Sequence, residues 1–377
     1  MADCSRRACL CALAATALPA LPGLAQQPVV KAVTVAQGLH HPWSLAFLPD
    51  GGMLVTERAG RMRIVSPGGD VSAPLAGLPA VEARSQGGLL DVALDPKFAD
   101  NQLVYWSYAE LDADGNGTAV ARGRLNGQRL DDVRVIFRQK PKVPGNAHLG
   151  SRLVFDRNGR LFVTMGDRMF QRHQVQQMNT HIGKIVRIES DGRVPSDNPF
   201  AKTQGALPEI WSIGHRNVQG ATLHPTTGAL WVHEHGPEGG DEVNIAQAGR
   251  NYGWPLTSHG VDYGTGAKIG EGATKDGIEA PLTVWVPSIA PSGMVFLTSD
   301  RYADLPGWKG SLFVGALRAQ TLVRLEFDGR KVLKEERLLL GELGRIRDVR
   351  QGPDGYLYLL TDVADGRIVR VERAVAP

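Results

Sequence analysis

The 377 residues set 42 Lys and Arg against 39 Asp and Glu, and 42% of them are hydrophobic. A formal charge of +3 with no block of like charge argues against a nucleic-acid or membrane-surface patch and fits a small, neutral or weakly charged partner. All three cysteines (Cys4, Cys9 and Cys11) lie at the extreme N-terminus, which excludes disulfides, thiol catalysis and iron–sulfur clusters from everything that follows.

The first element in chain order is a secretory signal peptide over residues 1–25. Arg6 and Arg7 form its basic region, Leu10 to Leu21 its apolar stretch, and Gly23-Leu24-Ala25 its small-residue cleavage site. Ser5-Arg6-Arg7 suits twin-arginine export as well as the Sec route. An uncleaved anchor is the weaker reading, because the apolar run is short and contains Pro19 and Pro22. Residues 26–377 are then expected as one domain without a membrane span, periplasmic or secreted, and long enough for a packed core.

From Ser44 onward one pattern returns six times: an apolar run, a Pro-Asp-Gly-like turn and a second alternating apolar run. The copies are Ser44 to Glu57, Asp91 to Tyr108, Arg152 to Asp167, Gly220 to His235, a looser Gly293 to Leu317, and Asp348 to Asp362. Each predicts a β-hairpin whose turn uses Gly or Asn at positive φ. Several are followed by a further short strand pattern, as in "RMRIVS", "KIVRIES", "TLVRLEFDG" and "RIVRVERA". Six units of about four strands each, with little helical periodicity, predict an all-β, six-bladed β-propeller. A β-sandwich would leave the repeat unexplained. In a propeller the polar residues flanking each innermost strand converge at one end of the channel.

Those flanking residues are, in order, as follows. Gln86 precedes a buried strand, and alone reads as a polar turn residue. His148 and Asp167 bracket the third hairpin at the same end, so a pair is geometrically reasonable; it would fix the imidazole tautomer and raise its basicity. A lone loop histidine is more often without such a role. Arg216-Asn217 places a forked donor suited to a carboxylate or quinone oxygen. His233 and His235 at spacing two suggest zinc. Glu238, Asp241 and Glu242, with turn carbonyls at Gly236 and Pro237, suit Ca²⁺ instead. Arg345 and Arg347 share a strand face, which is unfavourable unless an anion lies between them. No strand–GxGxxG–helix unit marks a nicotinamide site, and no Gly-x-Ser-x-Gly elbow marks a serine hydrolase.

With "HPWSLAFLPDG", "GGLLDVALDP", "HLGSRLVF", "EIWSIGHRNVQG", "HEHGPEGGDEVN", "NYGWP" and "RIRDV" in place, the chain resembles the soluble quinoprotein glucose/sorbosone dehydrogenases. Within that group it is most similar to the periplasmic aldose sugar dehydrogenases, which use pyrroloquinoline quinone (PQQ) and Ca²⁺. The resemblance implies oxidation of an aldose at C1 to the lactone, with electrons passed to an external acceptor and a monomeric protein. It implies His148 as general base oriented by Asp167, Arg216 and Asn217 on the quinone oxygens, Arg345 and Arg347 on the cofactor carboxylates, and Gln86 lining the site. Leu317 and Arg318 fall where cofactor-contacting backbone lies. The carbonyls of Gly236 and Pro237 match the calcium that holds PQQ, and Glu242 and Tyr252 a second, structural calcium. Two departures stand out: Thr298 where glucose dehydrogenases carry a cofactor-contacting lysine, and Ser151 in "HLGSR". A calcium-dependent lactonase on the same fold and a non-catalytic binding propeller are the rival readings.

Overall fold

The computed structural model describes residues 29–374, so the leader expected at 1–25 lies outside the described residues. The described chain forms six antiparallel sheets, five of four strands and one of three. The first strands of the six sheets are Pro42–Phe47, Leu89–Leu94, Leu153–Phe155, Val218–Leu223, Pro291–Phe296 and Ile346–Gln351. Each packs against the first strand of the next sheet, and Ile346–Gln351 closes the ring on Pro42–Phe47. This is the six-bladed β-propeller.

Every repeat copy supplies the two inner strands of one blade. The second strands Met53–Glu57, Leu230–Glu234, Leu312–Ala316 and Leu357–Thr361 are buried along their whole length. A neighbouring blade covers each face of these strands, so apolar residues run without strict alternation. The alternation weakens outward until the fourth strand of blade five, Lys331–Leu338, is largely exposed. The four follow-on patterns are third strands.

Two blades depart from four consecutive strands. Blade one stops after Arg61–Val65, where the chain leaves through a single bridge from Val65 to Val71 and then a parallel bridge from Ala76 to Arg129 on blade two. Blade six takes its fourth strand from the other end of the chain, since Val30–Leu39 pairs with Gly366–Arg373. That pairing joins the two ends of the ring and covers a strand edge that would otherwise be open.

A buried ionic network, the plug of the channel, joins the innermost strands of three blades. Arg152 of blade three reaches Asp91 of blade two at 3.2 Å and Asp348 of blade six at 3.0 Å. Arg350 closes the square on the same two carboxylates, each at 2.9 Å. Neutralising charges across three blades inside a low-dielectric core makes the network all-or-none, because removing one member strands another. The Arg152 guanidinium also lies 4.2 Å from the centre of the Trp43 ring. Trp43 is thereby held flat on the plug as the floor of the cavity above it.

Candidate active site

A cavity of about 180 Å³ opens over Trp43 at the end of the channel where the first strands begin. Gln86, Leu149, Gly150, Asn217, Gln219, His235, Leu317, Arg345 and Arg347 contribute to its wall. Five of the residues expected at the site, Gln86, Asn217, Leu317, Arg345 and Arg347, therefore converge, although they span more than half the chain.

His148 immediately precedes Leu149 of this wall, in the left-handed region at φ 50° and almost fully buried. Its backbone N–H donates to Gln86 Oε1 at 2.9 Å. Its Nδ1 donates to Asp167 Oδ1 at 2.7 Å, which leaves Nε2 as the unprotonated nitrogen. Asp167 is itself fixed by the Trp254 indole N–H at 2.8 Å and the Met169 backbone N–H at 2.8 Å. Burial pushes the Asp167 carboxyl up, but the His148 hydrogen bond and the Arg216 charge hold it below its usual value. The expected pair is present, with one correction. Burial lowers His148 below 6.5 and, helped by the positive Arg216 and Arg168, outweighs Asp167, so the net effect is a less basic imidazole that is neutral at pH 7.

Gly166 makes this pairing sterically feasible. A Cβ there would collide with the His148 carbonyl. Gly166→Ala is expected to cost about 1–3 kcal/mol of stability and to reduce turnover, because His148 has to move to make room. Thermal unfolding and steady-state kinetics on the variant check this; wild-type values for both would show that the loop relaxes freely.

Arg345 and Arg347 both face the cavity, as their spacing predicted, although only Arg347 is near a strand's protected interior and Arg345 just precedes Ile346–Gln351. The anion between them is Asp362, 2.6 Å from Arg347 Nη2 and 3.4 Å from Arg345 Nη2. Burial opposes ionisation of Asp362, but the two guanidiniums and His41 hold it well below the ordinary carboxylate range. Arg347 Nε has no partner among the described residues, so the pair keeps donor capacity beyond what Asp362 uses.

Arg216 and Asn217 enter from blade four. The Arg216 guanidinium donates to the carbonyls of His235, at 3.0 Å, and Gly236. Its Nε is buried without a partner among the described residues. Asn217 Oδ1 accepts the Gly150 N–H at 3.2 Å, tying the strand after His148 to blade four.

Four expectations are corrected by position. Thr298 is exposed and bonded to Gln351, beyond the far end of Pro291–Phe296 from the cavity residue Ala290. Eight extended residues span roughly 25 Å, so Thr298 is not a site position and no cofactor contact is lost there. Leu317 lines the cavity, as expected, and the backbone N–H of Arg318 donates to the Ile289 carbonyl at 3.1 Å while its side chain is exposed beside Trp285 and Glu335. Glu238 is exposed. Asp241 spends both oxygens on the N–H groups of Gly236, Ile289 and Ala290 and on the Ser288 hydroxyl, so it shapes the loop and is not a ligand. The two candidate zinc histidines also part: His233 is buried against Gly220, whereas His235 donates to the Pro291 carbonyl at 2.6 Å. Burial pushes His235 down to about 4, keeping it neutral.

A residue that sequence reading missed completes the acidic locus. Glu234 stands directly opposite Glu242 on the neighbouring strand. Both lie on a small pocket that also touches Gly236, Pro237 and Tyr252. Glu234 pairs with His215 Nδ1 at 2.9 Å, whereas Glu242 has only Asn244 as a side-chain partner, at 3.1 Å. Burial, with Glu234 and Asp241 nearby, raises Glu242 to about 8. The two facing carboxyl groups form a donor set of the hard-oxygen kind, and without a cation Glu242 is held protonated. Among the described residues no three His, Cys, Asp or Glu side chains converge as metal ligands, so backbone carbonyls would have to complete the shell.

Comparison with known proteins settles the family. The model of the Glucose / Sorbosone dehydrogenase family matches residues 39–370. The chain belongs to the glucose/sorbosone dehydrogenase family. It is 48% identical over 351 residues to the aldose sugar dehydrogenase YliI of Escherichia coli K12, covering 91% of this chain and 93% of that one. The crystal structure of the soluble aldose sugar dehydrogenase from Escherichia coli in its apo form superposes with a TM-score of 0.88 at 45% identity, over 92% of this chain and all of that one. A PQQ-bound aldose sugar dehydrogenase from Streptomyces coelicolor superposes with a TM-score of 0.74 at 29% identity, over 91% and 97% of the two chains. The described residues contain no helix long and apolar enough to cross a membrane.

Proposed function

We propose that the protein is a periplasmic, monomeric, PQQ-dependent dehydrogenase that oxidises aldoses at C1 to the lactone and passes the electrons to an external acceptor. The observation that carries this reading is the His148–Asp167 pair, bonded through the His148 backbone N–H to Gln86 and continuous with Leu149 in the wall of the cavity that also bears Arg345 and Arg347. A neutral histidine suits proton removal from a hydroxyl, and paired guanidiniums with spare donors suit a planar polyanion.

Bound in this cavity, PQQ would supply the two-electron acceptor that oxidation at C1 requires. Arg345 and Arg347 would hold its carboxylates, with Gln86 and Leu317 beside it, and Arg216 and Asn217 would hold its quinone oxygens. The carbonyls of Gly236 and Pro237 would hold one calcium ion, and Glu234 and Glu242, with Tyr252, a second. His148 Nε2 takes the proton from the C1 hydroxyl. Asp167 steadies the imidazolium that results without itself becoming protonated, since its carboxyl is held below the usual range.

The test is reconstitution of the purified protein with PQQ and Ca²⁺, followed by dye reduction with a panel of aldoses. Reduction that requires PQQ, with lactone as product, is the expected result. Lactone hydrolysis in place of dye reduction would overturn the proposal.

A further inference from the structure

We propose that Arg168 is the positioning residue of this site, setting the backbone of His148 while its neighbour Asp167 sets the ring. The inference rests on the reading of His148 as the base.

Arg168 is 1% exposed, yet all its hydrogen-bond acceptors are uncharged. Its Nε donates to the Ala147 carbonyl at 3.0 Å and its Nη1 to the Asn116 carbonyl at 2.9 Å. Its Nη2 donates to the Gly145 carbonyl and to Asn116 Oδ1. Its backbone N–H donates to the carbonyl of His148 itself at 3.3 Å. Arg216, also buried, likewise donates to backbone carbonyls, whereas Arg152 pairs with Asp91 and Asp348, Arg324 with Glu326 and Glu336, and Arg347 with Asp362.

Burying a guanidinium on carbonyls alone is costly, so the arrangement persists only where the surroundings over-determine it. The acceptors are not scattered. Gly145 and Ala147 belong to the segment that delivers His148, and Asn116 is the strand residue on which that segment leans through reciprocal backbone bonds with Val143. The segment carries backbone strain, since His148 has φ 50°. Arg168 and Met169, facing it, have φ 56° and 66°. Two abutting left-handed turns of non-glycine residues do not hold a fixed spacing by themselves, and a five-donor planar fork spanning them does. Asp167 and Arg168 are consecutive, so one turn controls both the tautomer and the location of the imidazole.

The experiment uses the PQQ- and Ca²⁺-reconstituted protein with Arg168→Met, His148→Ala and the double variant, alongside the metal- and cofactor-free proteins. Arg168→Met is expected to lower kcat by about 10- to 100-fold while KM and PQQ affinity stay within about threefold, the signature of a misplaced base. In the His148→Ala background the same change is expected to have no further effect on kcat. In the cofactor-free protein, histidine nitrogen NMR is expected to show a single Nδ1–H tautomer for His148 in the wild type and a tautomer mixture in Arg168→Met. Should that variant not fold, Arg168→Lys, which keeps the cation and loses the fork, carries the same expectations.

An unchanged kcat, or an equal loss with and without His148, would overturn the positioning role. Wild-type turnover by His148→Ala would instead remove His148 as the base. The tautomer measurement then still decides whether Arg168 places the ring.

Discussion

His148→Ala is expected to lower kcat by about 10²- to 10⁴-fold, while PQQ affinity changes by less than about threefold. The split follows from where His148 sits. Its Nδ1 is committed to Asp167 and its backbone N–H to Gln86, so only Nε2 is available for chemistry. The groups suited to holding a polyanion, Arg345 and Arg347, lie across the cavity on blade six and make no hydrogen bond to His148. Asp167→Asn is expected to do nearly as much harm, because an amide either donates to Nδ1 and selects the wrong tautomer or offers a weaker acceptor. The pH dependence has a definite sign. Burial holds His148 below 6.5, so the active neutral form is lost only as pH falls through that lowered value, and kcat/KM is expected to stay flat from there up through neutrality. The measurement is the pH profile of dye reduction with dissociation constants for PQQ from fluorescence titration. Normal turnover by His148→Ala would sink the assignment.

The fold was legible because a blade's two inner strands are buried on both faces and must be written in apolar residues, as in Leu312–Ala316 or Leu357–Thr361. Fourth strands were not legible. Lys331–Leu338 faces solvent on the rim and is free to be polar. The site residues found in advance were those flanking inner strands, where the repeat makes a polar residue conspicuous. Asp362 ends the sixth copy as Asp167 ends the third, and each turns its carboxylate on a functional side chain of its own blade. That equivalence was present in the sequence and would have identified the anion between Arg345 and Arg347. Glu234 was hidden differently. It lies within a strand between two histidines, and only the cross-strand register places it opposite Glu242. Thr298 failed for a geometric reason, since an inner strand carries the chain from the cavity end to the opposite end within a few residues.

Metal-stripped protein is expected to melt about 5–10 °C below the Ca²⁺-loaded protein above pH 8, with a much smaller gap near pH 5. The reason is the Glu234–Glu242 pair. Without a cation the folded state holds Glu242 protonated, moving it from 4.5 up to about 8, so over that window the folded protein binds more protons than the unfolded chain. Stability of the stripped protein therefore falls as pH rises from about 4.5 to about 8 and levels off above. A bound divalent ion replaces the proton and removes that fall, which is why the gap opens at high pH. Glu242→Gln separates this from a general effect of calcium. The amide cannot ionise, so the stripped variant is expected to melt above the stripped wild type at high pH and to gain little from Ca²⁺. Differential scanning calorimetry at the two pH values, with and without added Ca²⁺, reads all four states. Equal melting temperatures for stripped and loaded wild type at high pH, or a full Ca²⁺ response in Glu242→Gln, would place the ion elsewhere.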